Sequence, residues 1–477
     1  MNRYFSILEE PSVVWVNTTM IQPRIDSQYY KTFYVENEDK IERLGYEKLI
    51  NIIERGDYGI LPNTEDYGNI GVPLIRGTDL RNLAIEIKET IKVPKTYLSE
   101  KSKLQSKDIL LLIKGATIDE EWSVSIVPKI DEEMIFNGSI FRIRLKSSYN
   151  PYFITAFMST NYFLLQKTRA ISNTGIYYND KDSIESFLIP IPSPEIQEYI
   201  GNKVKRSEEL REEAKILRKK AEAFINGKIG ILEFNDDKQY SSAFISSFKV
   251  TDRIDSEYYN MRYLEIEQEL EKKGYEIKTL SELCNRILNG KTYSTTNGEG
   301  KYFNVGVGEL GDWFISKNNE KIINDTISKR YLLKKNSIVW GNAAHLAKYI
   351  GEKVNMIFED DIVIPTTEVT AIEPNEEVID PYYLFLFMRS QWGYYQIQRT
   401  VKGMTAHSYP QDIEKILVPI ISLTNEEKEE LKDKVVRSFN NEILAKQLIR
   451  EAKQDVEDLI EGNFNMDKLN ESLPESR

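Results

Sequence analysis

Cysteine is nearly absent from this chain of 477 residues: Cys284 stands alone, which excludes an internal disulfide and a thiolate metal cluster and suits a reducing cytoplasm. Histidine is almost as scarce, and His345 and His407 leave little from which to build a metal site. Long apolar runs are missing, since none approaches the roughly 18 residues of a membrane span. Residues 1–10 lack a basic stretch followed by an apolar core, so no secretory signal is expected and the predicted location is the cytoplasm. An excess of positive charge is missing too. With 63 Lys and Arg against 75 Asp and Glu, the net charge of −12 argues against coating nucleic acid by bulk attraction. A DNA reader with this balance must gather its cations on one face or borrow positive charge from a partner.

What the chain does contain is itself, twice. Arg253-Ile254-Asp255-Ser256-Glu257-Tyr258-Tyr259 repeats Arg24-Ile25-Asp26-Ser27-Gln28-Tyr29-Tyr30, with six of seven positions identical at an offset of 229. Gly45-Tyr46 returns as Gly274-Tyr275 at the same offset, Asn150-Pro151-Tyr152 answers to Asp380-Pro381-Tyr382, and Phe157-Met158 to Phe387-Met388. Ile184 to Pro190 answers to Ile413 to Pro419. A period this long is a duplicated domain rather than a solenoid, and 477 residues give each copy room for its own core.

Within each copy the order of signals is the same. An amphipathic helix follows the repeated string, cleanest at Tyr259, Tyr263, Ile266 and Leu270, and stops at Gly45 or Gly274. Strands are expected at Val72–Ile75, 108–113 and 134–145 in the first copy and at 337–340 and 361–372 in the second, with a further strand-like stretch at Val13-Val14-Trp15-Val16. Between them lie polar loops rich in Gly, Asn and Thr, the longest at 57–71 and 290–300. The framework is shared while the loops are rewritten, as expected of one scaffold presenting two binding surfaces.

Each copy closes in a long charged helix. Leu210, Ala214, Leu217, Ala221 and Phe224 make a heptad seam in the first; Leu431, Val435, Phe439, Ile443, Leu448, Ala452, Val456 and Leu459 make a looser stripe in the second. Residues 201–228 carry nine Lys or Arg against five Glu, whereas residues 425–462 carry seven basic against eleven acidic residues. Opposite charge predicts that the two helices pair with each other, antiparallel if the copies are related by a pseudo-twofold axis.

A duplicated domain with variable polar loops, spaced by rigid helices, has the geometry to read two half-sites across an unread gap. The paired Arg-Ile-Asp-Ser-x-Tyr-Tyr strings, Pro73-Leu74-Ile75-Arg76-Gly77-Thr78-Asp79-Leu80, and Ile189-Pro190-Ile191-Pro192-Ser193-Pro194-Glu195-Ile196-Gln197 ahead of a coiled-coil helix resemble the DNA-specificity subunit of type I restriction-modification systems over residues 24–462. The resemblance implies an α+β chain: two duplicated target-recognition domains, mostly β with flanking helices, joined by two long antiparallel coiled-coil spacer helices. The implied division is 1–194 and 229–423 for the recognition domains, 195–228 and 424–462 for the spacers, and a tail at 463–477. It also implies a non-catalytic subunit that reads a bipartite site in double-stranded DNA, docks two methyltransferase subunits on its helices and accepts a restriction or translocase subunit. No cofactor is expected in this chain; S-adenosylmethionine belongs to the methyltransferase. An adaptor of another methyltransferase-associated anti-phage complex, built on the same scaffold, is the alternative.

Candidate DNA-binding residues are Arg76, Lys114, Asn173 and Thr174 in the first copy and Lys291, Thr292, Tyr293, Asn342, Lys402, Thr405 and His407 in the second. Arg and Lys suit guanine edges or phosphates, Asn suits adenine, and Thr and Tyr suit bases or backbone. Asn150-Pro151-Tyr152-Phe153 is similar to the base-holding motif of adenine methyltransferases but has one proline of its two, and the second copy has Asp380 in the same slot, so a turn into a helix is expected there. Val305-Gly306-Val307-Gly308 lacks the third glycine of a nucleotide-binding loop and reads as a tight turn.

Overall fold

A computed structural model describes residues 27–81, 83–85, 90–115, 118, 120, 123–171, 177–232, 245, 247, 250, 253–296, 300–316, 322–323 and 326–470. The expected strand at 13–16, the Arg24-Ile25-Asp26 end of the first signature, and the candidates Asn173 and Thr174 lie outside the described residues. The chain forms two compact units, residues 1–212 with 441–477, and residues 213–440. The boundary therefore falls inside the long helices: each unit takes half of each, where the sequence reading set them apart as separate segments.

Among the described residues of unit one, helix α1 (Thr32–Leu44) ends at Gly45, a residue at φ +86 where a side chain would be strained. Strand β1 (Tyr46–Lys48) pairs antiparallel with β9 (Leu188–Pro190). A four-stranded antiparallel sheet has the order β2-β8-β5-β6, from β2 (Ile53–Tyr58), β5 (Ile109–Leu112), β6 (Val124–Ile126) and β8 (Ile140–Leu145). A smaller sheet joins β3 (Val72–Ile75) to β4 (Lys92–Val93) and, in parallel, to β7 (Ile135–Phe136). The stretch expected as one strand over 134–145 is thus two, β7 and β8, because Asn137-Gly138-Ser139 turns the chain from one sheet to the other.

Alternation along β8 puts its two faces in different surroundings. Phe141 and Ile143 pack with Phe153 and Phe157 of helix α2 (Pro151–Met158), while Ile140 packs with Phe136, Leu110 and Leu112 between the sheets. Arg142 and Arg144 share the inter-sheet face and are neutralised there: Arg142 pairs with Asp57 and donates to the Lys103 carbonyl at 2.7 Å, and Arg144 grips Asp108 with two bonds of 2.7 and 2.8 Å. Helix α2 is capped by Asn150, whose side chain accepts from Tyr152 and Phe153 N–H at 3.0 and 3.2 Å, with Pro151 in the first turn. Helix α3 (Asn161–Arg169) follows, and α4 (Pro194–Ile229) runs out of the unit.

Unit two repeats this order. Helix α5 (Met261–Lys272) leads to β10 (Glu276–Thr279), which pairs with β19 (Leu417–Ile420). The four-stranded antiparallel sheet is β11-β17-β13-β15, from β11 (Cys284–Asn289), β13 (Ile338–Gly341), β15 (Val354–Met356) and β17 (Val369–Pro374). Strand β12 (Tyr302–Val305) runs parallel to β16 (Val363–Pro365), as β3 does to β7. The stretch 361–372 is again two strands, β16 and β17, split by a turn at 366–368. Helices α6 (Pro381–Arg389) and α7 (Gln391–Thr400) follow, then α8 (Asn425–Ile460), and Asp380 caps α6 as Asn150 caps α2. In unit two β14 (Ala343–Ala344) and β18 (Ala406–His407) form a short ribbon, at the place where the described residues of unit one show a bridge between Lys114 and Tyr178.

The long helices pair antiparallel within each unit. In unit one Leu210 packs with Ala445 and Leu448, while Lys203 reaches Asp455 at 2.6 Å. In unit two Arg218 donates to Ser438 at 2.8 Å and Lys228 to Glu427 at 2.5 Å. The seam of α8 differs from the apolar stripe read from sequence: Ile443 is 46% exposed, whereas Ser438, Asn441 and Ala445 are buried. The heptad passes through two polar residues that a search for apolar spacing skips.

Candidate nucleic-acid interface

One end of each four-stranded sheet gathers the polar loops. In unit two this end is set by the pairs Asn289 with Thr370 and Gly341 with Val369, so the exits of β11 and β13 meet the approach to β17. Asn342, the residue after β13, is 1% exposed and joins the loops. Its amide donates to the Thr370 hydroxyl at 3.2 Å and the Thr367 carbonyl at 3.3 Å, its backbone N–H to the Glu368 carbonyl, and its own carbonyl accepts from Ser408 N–H at 2.9 Å. Thr370 in turn donates to Asn289 at 2.7 Å.

Around this hub the structure brings together most of the unit-two candidates. Lys291 is exposed, its backbone tied to the Pro365 carbonyl and its ammonium 4.9 Å from the Tyr293 ring centroid. Thr292 is exposed with its hydroxyl 3.1 Å from that of Thr367. Tyr293 points inward: it packs with Ile323, Leu332 and Ile364, and its hydroxyl accepts from Ser328 N–H at 3.1 Å. Asn342 and Tyr293 therefore hold the loops from inside, because each has its polar atoms engaged within the fold. Lys402, Thr405 and His407 belong to one hairpin, in which Lys402 and His407 exchange both backbone hydrogen bonds at 2.9 and 3.1 Å. The Lys402 ammonium is held 2.7 Å from Asp412, a buried carboxylate. His407 Nδ1 lies 2.6 Å from the Thr405 carbonyl oxygen, and its ring is nearly parallel to that of Tyr409 at 6.1 Å.

In unit one the corresponding end has Tyr58 paired with Phe141 and Leu112 paired with Ile140. Lys114 is exposed there beside Tyr178, whose hydroxyl is 3.1 Å from that of Tyr58. Burial, with the Tyr178 hydrogen bond second, raises the Tyr58 phenol above its ordinary range. Arg76 is committed locally: its guanidinium donates twice to Asp79 at 3.3 Å and its N–H once at 2.8 Å, closing the turn that carries Gly77 against Leu112. The aromatic residues at this end were not singled out from sequence. Tyr178 carried one usable signal, in that it and Tyr409 of unit two close the matching loops 171–178 and 402–409.

Chemistry of other kinds finds little material. Burial pushes the Cys284 thiol up to about 12, the opposite of an activated nucleophile. Among the described residues no group of three or more His, Cys, Asp or Glu could hold a metal ion, and no helix is long and apolar enough to cross a membrane. Val307-Gly308 lies in a short 3-10 turn after β12, with Glu309 accepting from Gly306 N–H at 2.9 Å.

No protein-family model matches the chain, and no curated protein matches it. Among solved structures it is similar to the S subunit of a type I restriction-modification system from M. genitalium, at 13% identity and a TM-score of 0.44 over 88% of this chain and 96% of that one. It is also similar to the HsdS subunit from Thermoanaerobacter tengcongensis, at 13% identity and a TM-score of 0.30 over 88% and 97% of the two chains. A third similar structure, solved to describe assembly and conformational transition of the type I restriction-modification system, gives 11% identity and a TM-score of 0.30 over 88% and 98%.

Proposed function

We propose that this chain is a non-catalytic, sequence-specific DNA-recognition subunit that reads a bipartite site and positions methyltransferase subunits upon it. One observation carries the reading. The strand order β2-β8-β5-β6 of unit one recurs as β11-β17-β13-β15 in unit two, while the side chains at the equivalent ends differ. Two copies of a rigid framework with unlike loops suit two unlike half-sites. Lys291, Thr292, Thr405 and His407 present donors and acceptors at one such end, and Lys114 with Tyr178 at the other.

Helices α4 and α8, at 36 residues each, would set the unread gap. At a rise of 1.5 Å per residue, 36 residues span about 54 Å, the length of roughly 16 base pairs. The negative net charge makes affinity depend on the partner: S-adenosylmethionine and the chemistry reside in the methyltransferase, which would also supply much of the positive surface.

Co-expression with the neighbouring methyltransferase, followed by single-molecule sequencing of host DNA, tests the assignment. A split methylated motif with two defined halves and a constant gap is the expected result. A stable complex that leaves no new methylation would favour the adaptor reading, and methyl transfer or DNA cleavage by the purified chain alone would overturn the non-enzyme assignment.

A further inference from the structure

We propose that Met404 is an apolar wedge that inserts between two stacked base pairs of duplex DNA; this rests on the DNA-recognition reading and goes beyond it by giving one residue a deforming rather than a reading role.

Met404 has a relative exposure of 107%, higher than that of any other large hydrophobic residue described, so its thioether side chain touches almost nothing in the fold. A solitary exposed apolar residue is ordinary on a soluble surface. The support beneath this one is not. The turn is four residues closed by the reciprocal backbone bonds of Lys402 and His407, and Gly403 takes φ +87, a conformation that favours glycine.

Each arm of the turn is anchored. Lys402 is tied to the buried Asp412 carboxylate at 2.7 Å, the strand β18 pairs with β14, and the Ser408 and Thr400 hydroxyls are 2.7 Å apart inside the unit. Loop tips usually carry small or polar residues and move; here an apolar residue stands on an anchored tip. The adjoining segment after β14 presents Leu346 at 54% exposure, with Lys348 close behind it.

The occupant follows from that combination. An apolar side chain on a turn closed by Lys402 and His407, with the Lys402 ammonium 5.1 Å from the Tyr409 ring at its base, fits a surface that is anionic outside and aromatic within, which a stacked duplex is. Wedges of this kind unstack one base step and kink the duplex, and the cost depends on the step, so Met404 would favour a flexible pyrimidine–purine step without reading any base edge.

The test uses the full chain co-produced with its methyltransferase and random duplexes of about 40 base pairs, from which retained sequences give a consensus. 2-Aminopurine is then placed at successive positions in and beside the half-site read by unit two. The expected result is a several-fold rise in fluorescence at one step on binding, lost in M404A and kept in M404L, with affinity falling about tenfold in M404A while the consensus at the other positions is unchanged. An unchanged urea midpoint for M404A would show that the loss is not one of folding. A rise at no position, or an M404A complex with the wild-type rise and affinity, overturns the wedge and leaves DNA recognition standing. Failure to retain any duplex overturns the recognition reading itself, and retention of a protein surface in place of DNA overturns both.

Discussion

Arg399 sits over the ring of Tyr258, its guanidinium carbon 4.3 Å from the centroid, while its Nε–H donates to the Tyr258 carbonyl at 2.9 Å. Unit one repeats the arrangement with Arg169 over Tyr29 at 4.1 Å and the same donation at 2.8 Å, and the two arginines pair with Glu267 and Glu38 respectively. In unit two Arg253 adds its own grip, bonding Asp255 twice at 2.8 and 2.9 Å and lying 4.4 Å from the same Tyr258 ring. The tyrosine end of the repeated string is thus a lock: in each copy it fastens the chain ahead of the first helix to the helix after the aromatic one, α3 or α7.

Breaking the lock should cost stability before it costs recognition. An Arg–carboxylate hydrogen bond contributes roughly 1.5–3 kcal/mol and the ring contact about 1 kcal/mol more. Arg399→Ala is expected to lower unfolding stability by about 2–4 kcal/mol. Arg399→Lys should recover less than half, since an ammonium cannot make the side-on donation while covering the ring. Urea unfolding of both variants measures this, and equal stability for Lys and Arg would contradict the geometry.

A second lock lies between the long helices. Lys203 and Asp455 are both buried, 2.6 Å apart, and Lys468 completes the carboxylate at 2.7 Å. Asp455→Ala leaves the Lys203 charge buried without its nearest partner and should cost about 3–5 kcal/mol, whereas the double change Lys203→Met with Asp455→Leu should restore most of it. Burial depresses the Lys203 ammonium, but hydrogen bonds to Asp455 and Tyr199 outweigh it and the net shift is upward. A raised lysine stabilises the fold fully below its unfolded value, about 10.4, and loses that contribution as pH climbs through the folded value. The wild type should therefore lose stability above about pH 10.4 more steeply than the double variant.

Much of the framework was legible in sequence because the duplication printed it twice: the Gly45 and Gly274 stops, the Asn150 and Asp380 caps and the strands around Leu74 and Val339 are local features. The site was less legible. Asn342 and Tyr293 looked like loop donors, yet partners dozens of residues away, Thr370 and Ser328, draw them inward. Ile443 fits the apolar spacing, yet the buried positions of α8 run through the polar Ser438, which accepts from Arg218, and Asn441. Periodicity registers apolar spacing; it does not register which polar residue has found a buried partner.

Asn342 and Lys291 should separate on that basis. Asn342→Ala strips a donor from the Thr370 hydroxyl and the Thr367 carbonyl in a buried setting and is expected to cost about 1–3 kcal/mol of stability. Lys291→Ala should leave the unfolding midpoint alone and weaken DNA binding across all sequences, lowering the salt slope by about 0.9. Titrations of each variant's complex at several salt concentrations, beside urea unfolding, decide between a residue that positions and one that touches phosphate. The reverse pattern would exchange their roles.

The helices make the sharpest claim, because length is the quantity they would transmit. A heptad inserted after Lys215 in α4, matched by a heptad after Asn440 in α8, preserves the seam, since seven residues return each face to its register. A one-sided insertion of four residues near Lys215 shifts the faces and is the harsher version. Seven residues add about 10 Å, close to three base pairs of rise. The methylated motif of host DNA should then keep both half-sites and lengthen only the unread gap by about three base pairs. Unaltered spacing with full methylation would mean that the gap is set elsewhere, and an altered half-site would mean that the helices shape the recognition ends rather than separate them.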